Sequence, residues 1–297
     1  MCISSAQIRD FIMIVFLNGK FLEEAKAFVP LNDRGLLYGD GLFETTRVLN
    51  GRPFRLAQHL ERFQRGADFL KIKLPFSAKE IQALALQVIE KNKLPQSVLR
   101  IMLTRGAGER GYTPAAAEKP TFAITLHPLP VGSEDETLQW SMVTSPFHIP
   151  ASDPISGFKT ANKLMNVLAL ADARERGADE ALLLNTNGEV AATAGGNIFW
   201  VFQNRICTVP SGRGVLPGIT RAVVLEICQS LGLETNKRVV KPQQLQRSEG
   251  IFITQSVYGI VPIAAFDGQP IAPSPLVDQI ASAYNGILIA ESTPSAE

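Results

Sequence analysis

Lys159 has the surroundings of a lysine that does covalent chemistry. It lies in SGFKTANKL, just after a bend marked by Pro154 and Gly157. An apolar run follows, Leu164, Val167, Leu168 and Ala171, whose spacing predicts the buried stripe of a helix. An amine at such a loop-to-helix junction, packed beside apolar side chains, can be desolvated. Its pKa then falls, and the neutral form becomes a nucleophile able to form a Schiff base with a carbonyl. The plain alternative is a solvated surface charge, the commonest fate of a lysine, and Lys163 one turn further on is open to the same two readings.

Other residues have the chemistry to hold an anionic ligand. Gly218-Ile219-Thr220 precedes a helical period through Val223, Val224 and Ile227, and the free amides at a helix N-terminus suit a phosphate. Alternatively, Thr220 is simply the N-cap of that helix. A substrate carboxylate needs a cation, for which Arg47 and Arg110 are candidates. Arg110 lies in the glycine-rich stretch RGAGERGYTP, which could equally be no more than a flexible loop. Arg62 taken alone reads as a solvated helix arginine, and Ser256, at a strand end, reads as a hydroxyl that serves its own backbone. Tyr38, Phe43 and Tyr112 either line a pocket or belong to the core or the surface.

The elements that must position these residues are legible. Asn18-Gly19 and Asn50-Gly51 separate apolar or alternating segments, the signature of tight hairpins. A helix from Leu56 places Leu60, Phe63, Ala67 and Leu70 on one face and His59 and Arg62 on the adjoining one. Ser77 and Glu80 form a capping box that opens a second helix, with Ile81, Leu84, Val88 and Ile89 inward. The strands SVLRIMLT and PTFAITLH flank RGAGERGYTP. The proline-, glycine- and acid-rich stretch over 128–137 is a linker between a small α+β domain (13–131) and a larger α/β domain (138–297). The second domain holds a hairpin around Asn187-Gly188, the strands NIFWVF and GIFITQS, a helix over Thr220–Leu231 and a last helix over 275–290.

Composition excludes several classes of function. With 297 residues, 45% hydrophobic, 19% charged and a formal net charge of +1, the chain reads as a soluble globular protein. It has no basic excess to favour nucleic acid or an anionic membrane. FIMIVFL is too short to span a bilayer and lacks the flanks of a leader; we read residues 1–12 as an N-terminal extension and Met13 as a second candidate start. Cys2, Cys207 and Cys228 and the histidines His59, His127 and His148 lack metal-ligand spacing, so no metal site is expected and a reducing cytoplasm is.

GFKTANKLMNVLALADARERGADEALLL, followed by GEV, GGNIFWV and GVLPGITR, resembles the fold-type IV, class IV family of pyridoxal 5'-phosphate enzymes, and the similarity runs from about Leu17 to about Ile263. That family contains branched-chain and D-amino acid aminotransferases and 4-amino-4-deoxychorismate lyases. The resemblance implies a two-domain α/β (α+β) fold like that of D-amino acid aminotransferase. It implies the cofactor on Lys159, its phosphate on Arg62, Ile219, Thr220 and Ser256, and Leu216 against its ring. It also implies a homodimer whose Arg110 loop clamps the carboxylate of a small amino substrate in the neighbouring subunit. RGAGERGY, GDGLFETTRV and GFKTANKL look most like the lyase, because Phe43 and Leu164 stand where the aminotransferases carry tyrosine. One position departs from the family: the glutamate expected five residues before the asparagine of GGN, facing the pyridine nitrogen, is Ala192 here. Thr193 next to it points to the opposite face unless a bulge intervenes.

Overall fold

The computed structural model describes residues 12–114, 117, 119–135 and 137–293, so the expected extension lies almost wholly outside the described residues. The chain divides into two compact units. One runs up to Ser133 and takes in the short segment Lys159–Asn162 and the chain from Ala290; the other comprises Glu134–Phe158 and Lys163–Ile289.

The first unit is built on β1 (Ile14–Leu17), β2 (Lys20–Glu23), α1 (Arg34–Tyr38), β3 (Gly41–Leu49), β4 (Arg52–Pro53), α2 (Leu56–Leu70), α3 (Ala78–Asn92), β5 (Ser97–Thr104) and β6 (Thr121–Pro128). Its strands form one antiparallel sheet in the order β2-β1-β6-β5-β3-β4. Both expected tight turns form: Asn18 and Gly19 have φ of 48° and 92°, Asn50 and Gly51 of 52° and 75°, the left-handed pair that matches strand twist. Ser77 Oγ accepts from Glu80 N while Glu80 Oε2 accepts from Ser77 N, completing the capping box of α3. Leu42, Val48, Leu99, Ile101, Leu103, Phe122, Ile124 and Leu126 are buried, with Leu60, Phe63 and Ala67 of α2 and Ile81, Val88 and Ile89 of α3. The strands bury alternate residues, so Phe43, Thr45, Arg100 and Met102 share the other, half-open face.

The second unit contains β7 (Trp140–Ile149), α4 (Leu164–Glu175), β8 (Glu180–Asn185), β9 (Val190–Thr193), β10 (Asn197–Phe202), β11 (Arg205–Thr208), α5 (Ile219–Ser230), β12 (Thr235–Lys237), α6 (Pro242–Leu245), β13 (Gly250–Gln255), β14 (Gly259–Phe266), β15 (Gln269–Pro270) and α7 (Pro275–Ser292), whose last residues group with the first unit. Its mixed sheet runs β12-β11-β10-β13-β14-β7-β8-β9, with β15 beside β14. The continuous apolar runs of β8, β10 and β13 are buried on both faces, with Trp200, Phe199 and Phe252 among the largest enclosed side chains.

One expectation is overturned. The stripe Leu164, Val167 and Leu168 is not core: these residues are 70%, 60% and 41% exposed, and Ala171 is exposed too. The face of α4 that packs on the sheet is the small-residue pair Ala169 and Ala173, joined with Ala178, Ala181 and Leu183. Small side chains let the helix lie close to the strands, which turns the larger apolar residues outward.

Among the described residues, no helix is long and apolar enough to cross a membrane, and no group of three His, Cys, Asp or Glu side chains could hold a metal ion.

Candidate active site

In the first unit the segment Lys159–Asn162 lies alongside β3. Phe43 N donates to Lys159 O at 3.0 Å, Ala161 N donates to Gly41 O at 2.8 Å, and Thr160 bridges to Leu42. These backbone bonds fix where the lysine side chain starts. Lys159 Nζ stands 4.6 Å from the centre of the Phe43 ring, and the Arg100 guanidinium stands 4.2 Å from it. Two cations therefore share one aromatic ring, an arrangement its quadrupole favours. Burial disfavours the charged form of Arg100.

Arg100 does not stand out in the sequence, because it reads as one more outward position of the alternating strand SVLRIMLT. The pairing of β5 with β3 sets it opposite Thr45, two residues along that strand from Phe43 and on the same face. Arg47 lies on this face too, but four residues along the strand from Phe43, roughly 13 Å at ordinary strand rise. It is buried and donates Nη1 to Ser133 O at 3.1 Å.

On the opposite face of β3, Glu44 is enclosed with two residues of α2. Arg62 donates from Nε to Glu44 Oε1 at 2.8 Å and from Nη2 to Oε2 at 2.7 Å, and His59 Nδ1 lies 2.7 Å from the same Oε2. All three residues are under 5% exposed, so Arg62 is far from a solvated helix residue. Burial by itself pushes the Glu44 carboxyl up, but the hydrogen bonds and charge of Arg62 and His59 outweigh it and bring Glu44 down to about 2. His59 is held below its ordinary value, first by burial, against the pull of Glu44 and with Arg62 and Lys159 as neighbouring cations. Glu44 Oε2 thus lies within hydrogen-bond distance of both His59 Nδ1 and Arg62 Nη2. The Arg62 fork is held at a fixed angle by Glu44, as an anion-binding arginine needs.

The RGAGERGYTP loop is not slack at its base. The buried Arg34 donates to Gly111 O at 2.8 Å and to Tyr112 O and Thr113 O at 3.3 Å, and Tyr38 Oη accepts from Gly111 N at 2.8 Å. Arg34 and Arg105 both bond Asp40, which ties the start of the loop to the arginine that holds its far part. Arg110 is exposed, and Tyr112 is 89% exposed.

In the second unit, Asn197 is the joint between two motifs. Its Nδ2 donates to Leu216 O at 2.9 Å, and its Oδ1 occupies the space a Cβ would need at Gly218, so that position must be glycine. Gly218 is the N-cap of α5 and offers no side-chain cap, which corrects the alternative in which Thr220 caps: Thr220 lies inside the first turn and is buried. The first amides of α5 therefore have no capping side chain, the arrangement that receives a phosphate. Thr254, paired with Asn197 across β13 and β10, has a buried hydroxyl without a hydrogen-bond partner among the described residues. Ser256 follows directly on the end of β13 and is half-buried. An uncapped helix start and an orphaned buried hydroxyl fit an anionic ligand group.

Ala192 pairs with Leu183 and is half-buried. The register shift in β9 falls at Ala191, not between Ala192 and Thr193, so Thr193 does point away, and its Oγ1 accepts from Gly196 N at 2.9 Å. Glu189 is engaged with Asn185 and Arg213 at the β8–β9 turn. Lys163 stands at the N-cap of α4; burial pushes its amine down, and Asp153 opposes this.

The fold and this donor set define a class, and comparison with known proteins agrees. Residues 41–266 match the model of the amino-transferase class IV family, and the chain belongs to that family. It is 34% identical over 259 residues to a candidate branched-chain-amino-acid aminotransferase of Methanocaldococcus jannaschii, covering 87% of this chain and 90% of that one. It is 30% identical to the D-alanine aminotransferase of Bacillus licheniformis (94% and 98% covered) and 30% identical to the aminodeoxychorismate lyase of Bacillus subtilis (86% and 87%). Among solved structures, the branched-chain amino acid aminotransferase of T.th. with pyridoxamine 5'-phosphate superposes with a TM-score of 0.88 at 26% identity, covering 95% of both chains. The fold is therefore fold-type IV, as the motifs implied.

Proposed function

We propose that this chain is a lyase that converts 4-amino-4-deoxychorismate to 4-aminobenzoate and pyruvate, a step of folate synthesis. Its cofactor is pyridoxal 5'-phosphate, as in the family to which it belongs. On this reading Lys159 carries the cofactor, Arg62, the α5 amides with Thr220, and Ser256 hold its phosphate, and Leu216 lies against its ring. Bound there, the cofactor supplies an electron sink for the amino-bearing carbon of the substrate. The amine of Lys159, once displaced by the substrate, takes the proton from that ring carbon. The ring C–O bond then breaks, the three-carbon unit leaves and gains a proton to become pyruvate, and the remaining ring becomes aromatic. Arg100, beside Lys159 on the Phe43 ring, joins Arg110 as a cation for the substrate carboxylate.

The observation that carries the choice of lyase is Ala192. Without a carboxylate at that position the protonated pyridine is less stabilised and the ring is a poorer sink, and aromatisation of the product lessens the need for one. The test is a pair of assays on purified protein: release of 4-aminobenzoate, and transfer of an amino group to pyruvate or 2-oxoglutarate. Transfer without release would overturn the lyase reading. Amino transfer is the second reading, favoured by the relatives named as D-alanine and branched-chain aminotransferases.

Ala192→Glu separates the two further. It should raise amino transfer, which must hold negative charge on the ring, and leave lyase turnover within about threefold, provided the variant melts like the parent; overpacking there costs roughly 1–3 kcal/mol. Equal changes in both activities would remove the electron-sink argument. We also propose a homodimer, supported by the exposed apolar side chains of α4 and the outward Arg110 and Tyr112, with light scattering expected to report about twice the 32.3 kDa chain mass.

A further inference from the structure

Glu180, the first residue of β8, is the one buried carboxylate of the second unit among its described residues, at 2% exposure. Among those residues no arginine or lysine holds it. Its Oε1 accepts from Ala181 N at 2.9 Å and its Oε2 from Gln255 Nε2 at 2.9 Å, and the amides of Ala194 and Gly195 and the hydroxyl of Thr193 bond it as well. Burial outweighs these bonds and lifts the carboxyl to about 7. A buried acid satisfied only by neutral donors is an expensive way to staple a fold, since an apolar residue of similar size is usually no worse.

The donors themselves indicate what it does. Thr193 ends β9, and Ala194 and Gly195 belong to the turn that leads from it to Asn197 at the start of β10. A Cβ on Gly195 would stand 2.6 Å from Gln255 Nε2 and 3.2 Å from Glu180 Oε2, and one on Gly196 would run into the Thr254 carbonyl. The turn is therefore seated directly on the Glu180–Gln255 pair, with its far side tied to α4 by Asn166 Nδ2, which donates to Ala194 O at 2.8 Å. Two segments leave this node. Asn197 reaches Leu216 and Gly218 at the start of α5, and Gln255 leads into Ser256.

We propose that Glu180 is a positioning residue for the cofactor: its carboxylate seats the Thr193–Gly196 turn on Gln255 and so fixes the two segments, at Asn197 and at Ser256, that receive the phosphate-bearing ligand. The assignment rests on the reading of those segments as the phosphate cradle. A residue that merely held the fold would lower thermal stability without a selective effect on cofactor affinity.

The test is titration of the apoprotein with pyridoxal 5'-phosphate, followed by absorbance, alongside its melting temperature. Glu180→Gln places an amide nitrogen where Gln255 already donates, and should raise the dissociation constant about tenfold or more. The exchange Glu180→Gln with Gln255→Glu restores the pair with its polarity reversed, and should bring the constant back to within about threefold of the parent. Gln255→Leu removes only the tie to β13 and should weaken binding alone if Glu180→Gln does not fold. A folded Glu180→Gln or Gln255→Leu protein with an unchanged dissociation constant overturns the assignment. Failure of the parent protein to bind the cofactor would instead refute the cradle reading, so the two failures are distinguishable.

Discussion

Replacing Lys159 by alanine should lower turnover in whichever assay the parent passes by at least about three orders of magnitude, because on the proposed reading one side chain both carries the cofactor and moves the substrate proton. Lys163→Ala is the control, since burial depresses that amine and it stands only four residues away. Lys159 is distinguished from it by its setting: its backbone is bonded to β3, and its amine stands 4.6 Å from the Phe43 ring centre. Borohydride reduction of the cofactor-loaded parent followed by peptide mapping should place the label on the peptide containing Lys159. Label on Lys163, or full activity in Lys159→Ala, would remove the assignment.

Glu44→Ala should cost about 3–5 kcal/mol of stability, the usual consequence of removing one partner from a buried ion pair. The Arg62 guanidinium would be left enclosed with two of its nitrogens facing a void. The same carboxylate sets an acid limit. Its pKa in the folded protein, about 2, is below the ordinary 4.5, so its contribution to stability is fully present above about pH 4.5 and is lost as pH falls from there toward 2. Melting curves across that range should fall less steeply with acid for Glu44→Gln than for the parent. Because Glu44 also holds the Arg62 fork, and Arg62 is proposed to bind the cofactor phosphate, cofactor affinity should weaken in Glu44→Gln even where the protein is folded. Parallel acid profiles for parent and variant would show that Glu44 is not the ionised partner of Arg62.

The sequence by itself determined whatever depends on near neighbours. The turns at Asn18-Gly19 and Asn50-Gly51, the Ser77–Glu80 cap, the buried period of α2 and the helix start after Gly218 all rest on residues a few places apart, where backbone geometry and local hydrogen bonds decide the outcome. The class IV motifs could be read for the same reason: each is a short run with its own spacing. Tertiary structure decided which face of each element meets a partner. Periodicity marks an apolar stripe on α4, but only the close seat of Ala169 and Ala173 on the sheet shows that Leu164 and Val167 face outward. Glu44 lies 15 and 18 residues from His59 and Arg62, and Glu180 lies 75 from Gln255, so no local pattern could join them. Arg100 becomes a neighbour of Lys159 only because β5 pairs with β3 and the Lys159 segment runs along β3. Burial pushes an enclosed carboxyl up unless charged partners brought to it by the fold outweigh that push, so the shift is down at Glu44, which has Arg62, and up at Glu180, which has only neutral donors.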